Sequence, residues 1–247
     1  MRLLTLNLHC RQEVMWEKNL GILADYIHEN NVDVVALQEC AQPLGNEELS
    51  DDNDLKILHS LLLQRGVSFE VCWTLNHVGF ESHFEGLGIL SRYPISSIRS
   101  FVISESIEIT DWQTRKAQLV ELIVNGSTVE LCNLHLGIQD RALGELQNLC
   151  QQAHLENAIV VGDFNVSDDE ATYDEVAALL KKPDVYRALI GRSDPTFFVG
   201  ADGWGGAEGK RIDYVFAHEG KAIKRAFTGV DSPRISDHMG LLVDFPF

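Results

Sequence analysis

Several short stretches of the sequence place carboxylate, carboxamide or imidazole side chains at the end of an apolar segment. One is AIVVGDFN, residues 158–165, in which four apolar residues and a glycine lead directly into Asp163 and Asn165. Residues i and i+2 of a strand project to the same face, so these two side chains would point together. Such a pair is typical of a turn or of a place where chemistry is done.

The same pattern recurs along the chain. Polar residues end or interrupt the apolar stretches LTLNLH, ALQE, LCNLHLG and RIDYVF, and others precede the last apolar stretch in SDHMG; they are Asn7, Glu39, Asn133, His135, Asp213, Asp237 and His238. Each residue alone has an ordinary structural explanation, such as a solvated carboxylate or a satisfied core histidine. Polar side chains at the ends of several strands are together typical of an active site at one rim of a sheet sandwich.

This combination of residue types predicts hydrolysis of a phosphate ester. Carboxylate and amide oxygens suit Mg²⁺, which prefers hard oxygen ligands, and Mn²⁺ takes the same ligands. Histidines can protonate or polarise phosphoryl oxygens, and an aspartate held by its neighbours can orient and deprotonate a water. Positioning and charge stabilisation would then supply most of the rate.

Composition limits the partners of such a site. The chain has 247 residues, 45% of them apolar, with no linker or repeat, so we expect one domain spanning 1–247. The net charge of −17 argues against a broad nucleic-acid surface but not against a small anionic substrate beside a metal. Five cysteines without CxxC spacing, no signal peptide and no membrane-spanning segment favour a reducing cytoplasm. No obligate protein partner is evident.

Hydrophobic periodicity predicts a mixture of strands and helices. Strands are expected at 2–8, 32–39, 69–79, 85–95, 97–104, 117–124, 128–136, 157–164, 211–217, 223–230 and 239–245, and helices at 16–30, 53–66, 139–155 and 168–182. Asn125-Gly126 is a strong hairpin signal between two of the strands. Hairpins interrupt the strand–helix alternation, which favours two mixed β-sheets packed face to face with helices outside.

Taken together, LTLNLH, ALQE, NLHLG, GDFN, RIDYVF and SDHMG resemble, in order and over essentially the whole chain, the endonuclease/exonuclease/phosphatase superfamily. This resemblance implies the deoxyribonuclease-I-like four-layer α/β sandwich and divalent-metal phosphoesterase activity. It implies that Glu39 is the main metal ligand, with Asn7 beside it and Asp237 near the metal side. Asp163 would orient or activate the attacking water, and Asn165 would position the phosphate and the water.

The resemblance also implies roles for two histidines. His238 would contact the phosphoryl oxygen and be oriented by Asp213. His135 resembles the second histidine of the family, and Glu85 in FEGLGILSR resembles the carboxylate that pairs with it. Asn133, two residues before His135, is assigned to substrate binding.

Four longer segments indicate a branch within the superfamily. DNDLKILHSLLLQRG, NHVGFESHFEGLGILSR, DWQTRKAQ and ADGWGGAEGKRIDYVF resemble bacterial sugar-phosphate phosphatases, similar to maltose 6'-phosphate phosphatases. In DWQTRKAQ, Arg115 and Lys116 follow Trp112, and we expect Arg115, with Lys116, to bind the terminal phosphate, because a monoester dianion needs such a cation more than a diester does. The alternative is an exposed basic pair at a strand start. His77, His83, Trp73, Trp112 and Trp204 are candidates to line a sugar site, and packing is the alternative for each Trp.

The first hypothesis is therefore a Mg²⁺- or Mn²⁺-dependent phosphomonoesterase that acts on a sugar phosphate or a similar small metabolite. The alternative is a phosphodiesterase or nuclease of the same fold, against which the low Lys and Arg content counts. A lipid phosphodiesterase lacks support from a secretion signal or an aromatic membrane hairpin. A non-catalytic binding relative would need some motif residues replaced, and none is.

Overall fold

The computed structural model describes residues 1–138, 140–198, 209–230 and 232–247. Its strands are β1 (Arg2–Asn7), β2 (Val34–Pro43), β3 (Glu70–Gly79), β4 (His83–Ser91), β5 (Ile95–Val102), β6 (Lys116–Val124), β7 (Ser127–His135), β8 (Ile159–Asp163), β9 (Asp213–Phe216), β10 (Ala222–Ala226) and β11 (Gly240–Asp244). Its helices are α1 (Trp16–Glu29), α2 (Asp54–Gln64), α3 (Arg141–Gln152), α4 (Ala171–Leu180) and α5 (Val185–Ile190). Trp204 lies outside the described residues. No helix in the described ranges is long and apolar enough to cross a bilayer.

The strands form two mixed sheets. The first sheet has the order β10-β11-β1-β2-β4-β3, and the second has the order β5-β6-β7-β8-β9. The pairs β1–β2 and β7–β8 are parallel, and the remaining neighbours are antiparallel. The predicted pair of mixed sheets is therefore confirmed.

The hydrophobic core lies in three layers. Between the sheets, side chains such as Leu3, Val161 and Leu241 are buried against one another. Helices α1 and α2 pack on the outer face of the first sheet, and α3 and α4 pack on the outer face of the second. Each helix and sheet buries its apolar face in this way, which gives the four-layer α/β sandwich that the sequence predicts.

Helix α5 is absent from the sequence-based expectation. It is one and a half turns long, which is too short for a periodic apolar pattern to be visible. Asp184 begins it by accepting hydrogen bonds from the backbone N–H groups of Tyr186 and Arg187. The Asn125-Gly126 hairpin is confirmed, with positive φ at both residues (51° and 84°) between β6 and β7.

Candidate active site

The second sheet brings three polar residues into one row at its rim. His135 at the end of β7 is the register partner of Asp163 at the end of β8, and Asp163 is the partner of Asp213 on β9. Register partners on adjacent strands project to the same face, so the pairing aligns the three side chains. His238 comes from the segment before β11, and its Nδ1 lies 2.9 Å from Asp213 Oδ2.

The residues around Asp163 explain the end of β8. Gly162 has a φ of 138°, and a Cβ there would lie 2.0 Å from the carbonyl oxygen of Leu134, so only glycine fits. Asn165 also has a positive φ of 51°. Its backbone N–H donates to Asp163 Oδ1 at 2.9 Å, and its Nδ2 donates to the carbonyl of Leu136 at 2.8 Å. The sharp turn therefore fixes the Asp163 carboxylate at the rim.

Asn7 joins the two sheets at this rim. Its Nδ2 donates to Glu39 Oε1 at 2.9 Å and to Asp163 Oδ2 at 3.0 Å. Glu39 lies at a bulge of β2, where the pairing with β4 shifts between Leu37 and Cys40 and Glu39 has a φ of 51°. The sequence ends this strand at Glu39, whereas β2 continues to Pro43, because a bulge interrupts alternation without ending the strand.

Glu85 lies between two histidines, the expected His135 and also His77. Glu85 Oε1 is 3.6 Å from His77 Nε2 and 3.8 Å from His135 Nδ1, so the nearer imidazole is His77. His77 Nδ1 lies 3.0 Å from the carbonyl of Thr114. Gly79 leaves space for Glu85, because a Cβ at Gly79 would lie 2.8 Å from Glu85 Oε2. The sequence predicts His77 as a candidate to line a sugar site, and the structure places it beside Glu85.

The electrostatics of Asp163 and His238 suit proton transfer. Burial raises the pKa of Asp163 to about 7, although His238 acts in the opposite direction. Burial alone would lower the pKa of His238, but the charges of Asp213 and Asp163 outweigh it and raise the pKa to about 10. His238 Nε2 lies 3.7 Å from Asp163 Oδ2. His238 is therefore an imidazolium at neutral pH, beside a carboxylate that can gain or lose a proton there.

The residues around Glu39 fit a divalent cation. Burial and then the Glu85 charge raise the pKa of Glu39 to about 8, although the hydrogen bond from Asn7 and the His238 charge act in the opposite direction, so a bound cation would stabilise the charged carboxylate. Ligand atoms of Glu39, Glu85 and His135 lie within 4.8 Å of one another, and His135 Nδ1 is buried with no hydrogen-bond partner in the described part of the chain. A set of carboxylate and amide oxygens is typical of Mg²⁺ and Mn²⁺ sites.

Replacing Glu39 with glutamine tests whether this carboxylate holds the metal. The unfolded carboxyl ionises near 4.5 and the folded one near 8, so the folded state loses stability as the pH rises through that window. Without metal at pH 8.5, we expect Glu39→Gln to raise the free energy of unfolding by at least about 2 kcal/mol and the Tm by about 4 °C or more. The difference should shrink toward pH 5.

The same variant should gain little Tm from added Mg²⁺ and need more Mg²⁺ for turnover, because a neutral amide is a weaker ligand. Thermal unfolding in EDTA and in Mg²⁺ measures both effects. Glu156→Gln, a change at an exposed carboxylate, is the control. A wild-type response to Mg²⁺ in Glu39→Gln would remove Glu39 from the metal site.

A cavity of about 630 Å³ opens over these groups. Among the described residues, its lining is formed by His9, Glu39, His77, Val78, Gly79, Phe80, Glu81, Glu85, Thr110, Trp112, Arg115, His135, Ile138, Asp163, Asn165, Phe197, Asp237 and His238. Arg115 is 4% exposed, and its Nη1 donates to the carbonyls of Trp112 and Thr114. Among the described lining residues it is the one Arg or Lys.

Two of the expected substrate-binding residues do not line this cavity. Lys116, the first residue of β6, is half-buried, and burial lowers its pKa. Asn133 is buried between the sheets, where it accepts a hydrogen bond from Gln38 Nε2 at 2.7 Å and donates to the carbonyl of Leu37 at 3.0 Å. These contacts occupy the Asn133 amide inside the core, so we leave both residues out of the proposed substrate contacts.

His9 and Glu13 extend the site on the side of Asp237. His9 Nδ1 lies 3.1 Å from Glu13 Oε1 and 3.4 Å from Asp237 Oδ1, and the backbone N–H of His9 donates to Asn7 Oδ1. The sequence pattern predicts neither residue as part of the site. The one signal for His9 in the sequence is its position in LTLNLH, two residues after Asn7.

Known proteins resemble this chain in sequence and in fold. The sequence model described as Endonuclease/Exonuclease/phosphatase family matches residues 4–238. An endonuclease/exonuclease/phosphatase family protein from Leptotrichia buccalis is 24% identical, with a TM-score of 0.87 over 100% of both chains. A mannosyl-6-phosphatase from Bacteroides thetaiotaomicron is 16% identical, with a TM-score of 0.66 over 100% of both chains. Truncated Caenorhabditis elegans TDP2 is 17% identical, with a TM-score of 0.66 over 98% of this chain and 95% of that one. Comparison with curated proteins finds no match.

Proposed function

Because this chain belongs to the endonuclease/exonuclease/phosphatase family, whose members hydrolyse phosphoester bonds, we propose that it is a Mg²⁺- or Mn²⁺-dependent phosphomonoesterase. Its substrate is a sugar phosphate or a similar small phosphorylated metabolite. The observation that carries the proposal is the Asn7 amide, which bonds at once Glu39 and Asp163, two carboxylates that line one cavity together with His238 and Arg115.

Asp163 orients and deprotonates the attacking water. Its Oδ1 is held by the backbone N–H of Asn165 and its Oδ2 by Asn7 Nδ2, so the carboxylate has a fixed direction. A base works best when its pKa lies near the working pH, and burial brings Asp163 to that range. Asn165, whose side chain is fixed on the carbonyl of Leu136, positions the phosphate and the water.

His238 stabilises negative charge on the phosphoryl group. Asp213 accepts from Nδ1, which leaves the Nε2–H free to donate to a phosphoryl oxygen. His135 is different, since burial and the nearby Arg115 charge hold its pKa well below 6.5. His135 is therefore a neutral imidazole, and it can donate or accept one hydrogen bond at the phosphate without adding charge.

Glu39, with Asn7 and Asp237 nearby, would hold the divalent cation. When bound, this ion neutralises charge on the phosphoryl oxygens and on the leaving group. The pairing of Glu39 with Asn7 directs the carboxylate into the cavity before the ion arrives.

Arg115 supports a monoester over a diester. A terminal phosphate carries a second negative charge, and Arg115 is the one Arg or Lys among the described residues that line the cavity. The likeness of the fold to a mannosyl-6-phosphatase supports the same direction. The alternative, a phosphodiesterase or nuclease of this fold, finds little support in a net charge of −17.

The buried free thiols of Cys40, Cys72 and Cys132 support action in a reducing cytoplasm.

Replacing Arg115 with methionine tests the preference for monoesters. Methionine fills the space of the arginine stem but lacks the charge, so we expect kcat/KM for a phosphate monoester to fall about a hundredfold, the cost of about two charge-assisted hydrogen bonds. For a phosphodiester, which has one charge fewer, we expect a loss of about tenfold or less. Parallel assays on 4-nitrophenyl phosphate and bis(4-nitrophenyl) phosphate measure both values.

Lys116→Met is the matched control, since Lys116 is adjacent in sequence but does not line the cavity. We expect it to behave like the unmodified protein on both substrates. Equal losses on the two substrates in Arg115→Met would contradict a role in recognising the second charge.

A further inference from the structure

The turn between β3 and β4 holds two residues in a conformation that their side chains disfavour. The turn is closed by the Ser82 N–H, which donates to the carbonyl of Gly79 at 3.1 Å. Its central residues Phe80 and Glu81 both have positive φ, 49° and 55°. Left-handed backbone crowds a Cβ against the following carbonyl, so such turns usually carry asparagine and glycine. Phe80 and Glu81 are therefore strained.

The chain contains a reference for this geometry. In the β6–β7 hairpin, two consecutive residues with positive φ are Asn125 and Gly126, the pair that this conformation favours. That hairpin does not line the cavity, whereas Phe80 and Glu81 both do. Strained residues concentrate at functional sites because the local cost is retained only where the side chains are needed.

Phe80 is one of two exposed aromatic rings that line the cavity. Phe80 is 64% exposed and Trp112 is 50% exposed. The segments that carry them are tied together by the Val78 N–H, which donates to the carbonyl of Ile109 at 2.6 Å. The Arg141 guanidinium lies 4.9 Å from the centre of the Trp112 ring and supports it from α3. Two large rings that are at least half exposed are thus held at the cavity, and Arg141 covers one face of Trp112.

The charge of the cavity indicates what those rings contact. The described lining has the carboxylates Glu39, Glu81, Glu85, Asp163 and Asp237. Against them stand Arg115, deep in the cavity, and the His238 imidazolium, whereas Glu81 is exposed at the turn. A leaving group with further phosphates would meet Glu81 with like charge. A neutral group with hydroxyl donors and an apolar face would complement both the rings and this carboxylate.

We propose that Phe80, Glu81 and Trp112 form a subsite for the neutral sugar ring of the leaving group. The apolar face of the ring packs on Phe80 and Trp112, and its hydroxyls donate to the Glu81 carboxylate. This subsite rests on the proposed function, because it names what the hydrolysed phosphate is attached to. It also explains why the turn keeps Phe80 and Glu81 in place of an asparagine and a glycine.

The test exchanges the strained pair for the relaxed one. The double variant Phe80→Asn/Glu81→Gly, called the turn variant, and the single variant Trp112→Ala are made in an Asp163→Asn background, so that ligands bind without turnover. Calorimetry with Mg²⁺ measures binding of maltose 6'-phosphate, glycerol 3-phosphate and adenosine 5'-monophosphate. We expect the turn variant and Trp112→Ala each to weaken maltose 6'-phosphate about tenfold or more, the loss of one ring contact, and glycerol 3-phosphate less than about threefold.

The turn variant should also be more stable, with a Tm about 2–4 °C higher, because it relieves the left-handed strain. Ile107→Ala, a change at another exposed apolar residue that does not line the cavity, is the control and should bind as the parent does. Three results would each overturn the subsite. The turn variant could bind maltose 6'-phosphate as tightly as the parent does, or it could lose as much affinity for glycerol 3-phosphate as for maltose 6'-phosphate. The parent could also bind adenosine 5'-monophosphate more tightly than maltose 6'-phosphate and lose that affinity in the turn variant.

Failure of the proposed function has a different signature. It would appear as no phosphate release from any monoester by the protein that retains Asp163. The binding comparison decides the subsite in either case, because it does not depend on turnover.

Discussion

Replacing Asp163 with asparagine is expected to lower kcat for phosphate release by about a thousandfold or more while the fold stays intact. The amide matches the carboxylate in size, and its single oxygen can accept one of the two hydrogen bonds that Asp163 receives from Asn7 and the Asn165 backbone. Removal of a buried charge offsets the loss of the other bond. The amide cannot take a proton from water. Because burial raises the pKa of the Asp163 carboxyl, removing its charge should not lower the Tm.

Steady-state kinetics and thermal unfolding of the same preparation measure the two halves of this prediction. Asp169→Asn, at an exposed aspartate, controls for the loss of one negative charge. A kcat within about tenfold of the unmodified protein would remove Asp163 from the role of base, since general bases contribute about a hundredfold or more.

Replacing His238 with alanine is expected to lower kcat about a hundredfold or more. The imidazolium donates toward the phosphoryl group, and its charge exists because Asp213 and Asp163 raise its pKa to about 10. The variant also leaves Asp213 buried without its partner, so some loss of Tm is expected. His238→Gln, which keeps a donor but no charge, is a second variant that separates activity from folding.

Assays well below the Tm of each variant, with His154→Ala as an exposed control, test this role of His238. Both His238 variants should lose turnover more than substrate affinity, because charge on the phosphoryl oxygens grows in the transition state. Turnover by His238→Gln near that of the unmodified protein would show that the positive charge is not used.

Strained backbone is concentrated at the cavity. The described residues include nine non-glycine positions with positive φ, and five of them, His9, Glu39, Phe80, Glu81 and Asn165, line it. Each of these places a polar or aromatic group where a regular strand or turn would not. Under the proposed function, these irregular positions of the fold are the ones that would meet the substrate.

The architecture could be predicted from the sequence because strands and long helices leave periodic signals. The four long helices and the Asn125-Gly126 hairpin occur near their expected positions. Their ends differ by a few residues, since fraying and caps depend on contacts that periodicity does not contain. Helix α5 is missed because its start depends on Asp184, a residue without a repeating pattern around it.

The candidate site was predictable where a polar residue ends a strand. The sequence predicts Asp163, Asp213 and His238 as site residues, and the structure places His238 2.9 Å from Asp213 and 3.7 Å from Asp163. It does not reveal that Asn133 turns into the core or that His77 is nearer to Glu85 than His135 is. Those arrangements depend on strand register and on the packing of one sheet against the other. The sequence of a single strand contains neither kind of information.

The central claim is most directly tested by phosphate release from a panel of sugar phosphates, with Mg²⁺ and with EDTA, beside a plasmid-nicking assay of the same preparation. We predict Mg²⁺-dependent release from at least one sugar phosphate, intact plasmid, and loss of release in Asp163→Asn. Nicked plasmid without phosphate release, abolished in Asp163→Asn, would contradict the phosphomonoesterase and identify a nuclease that uses the same residues.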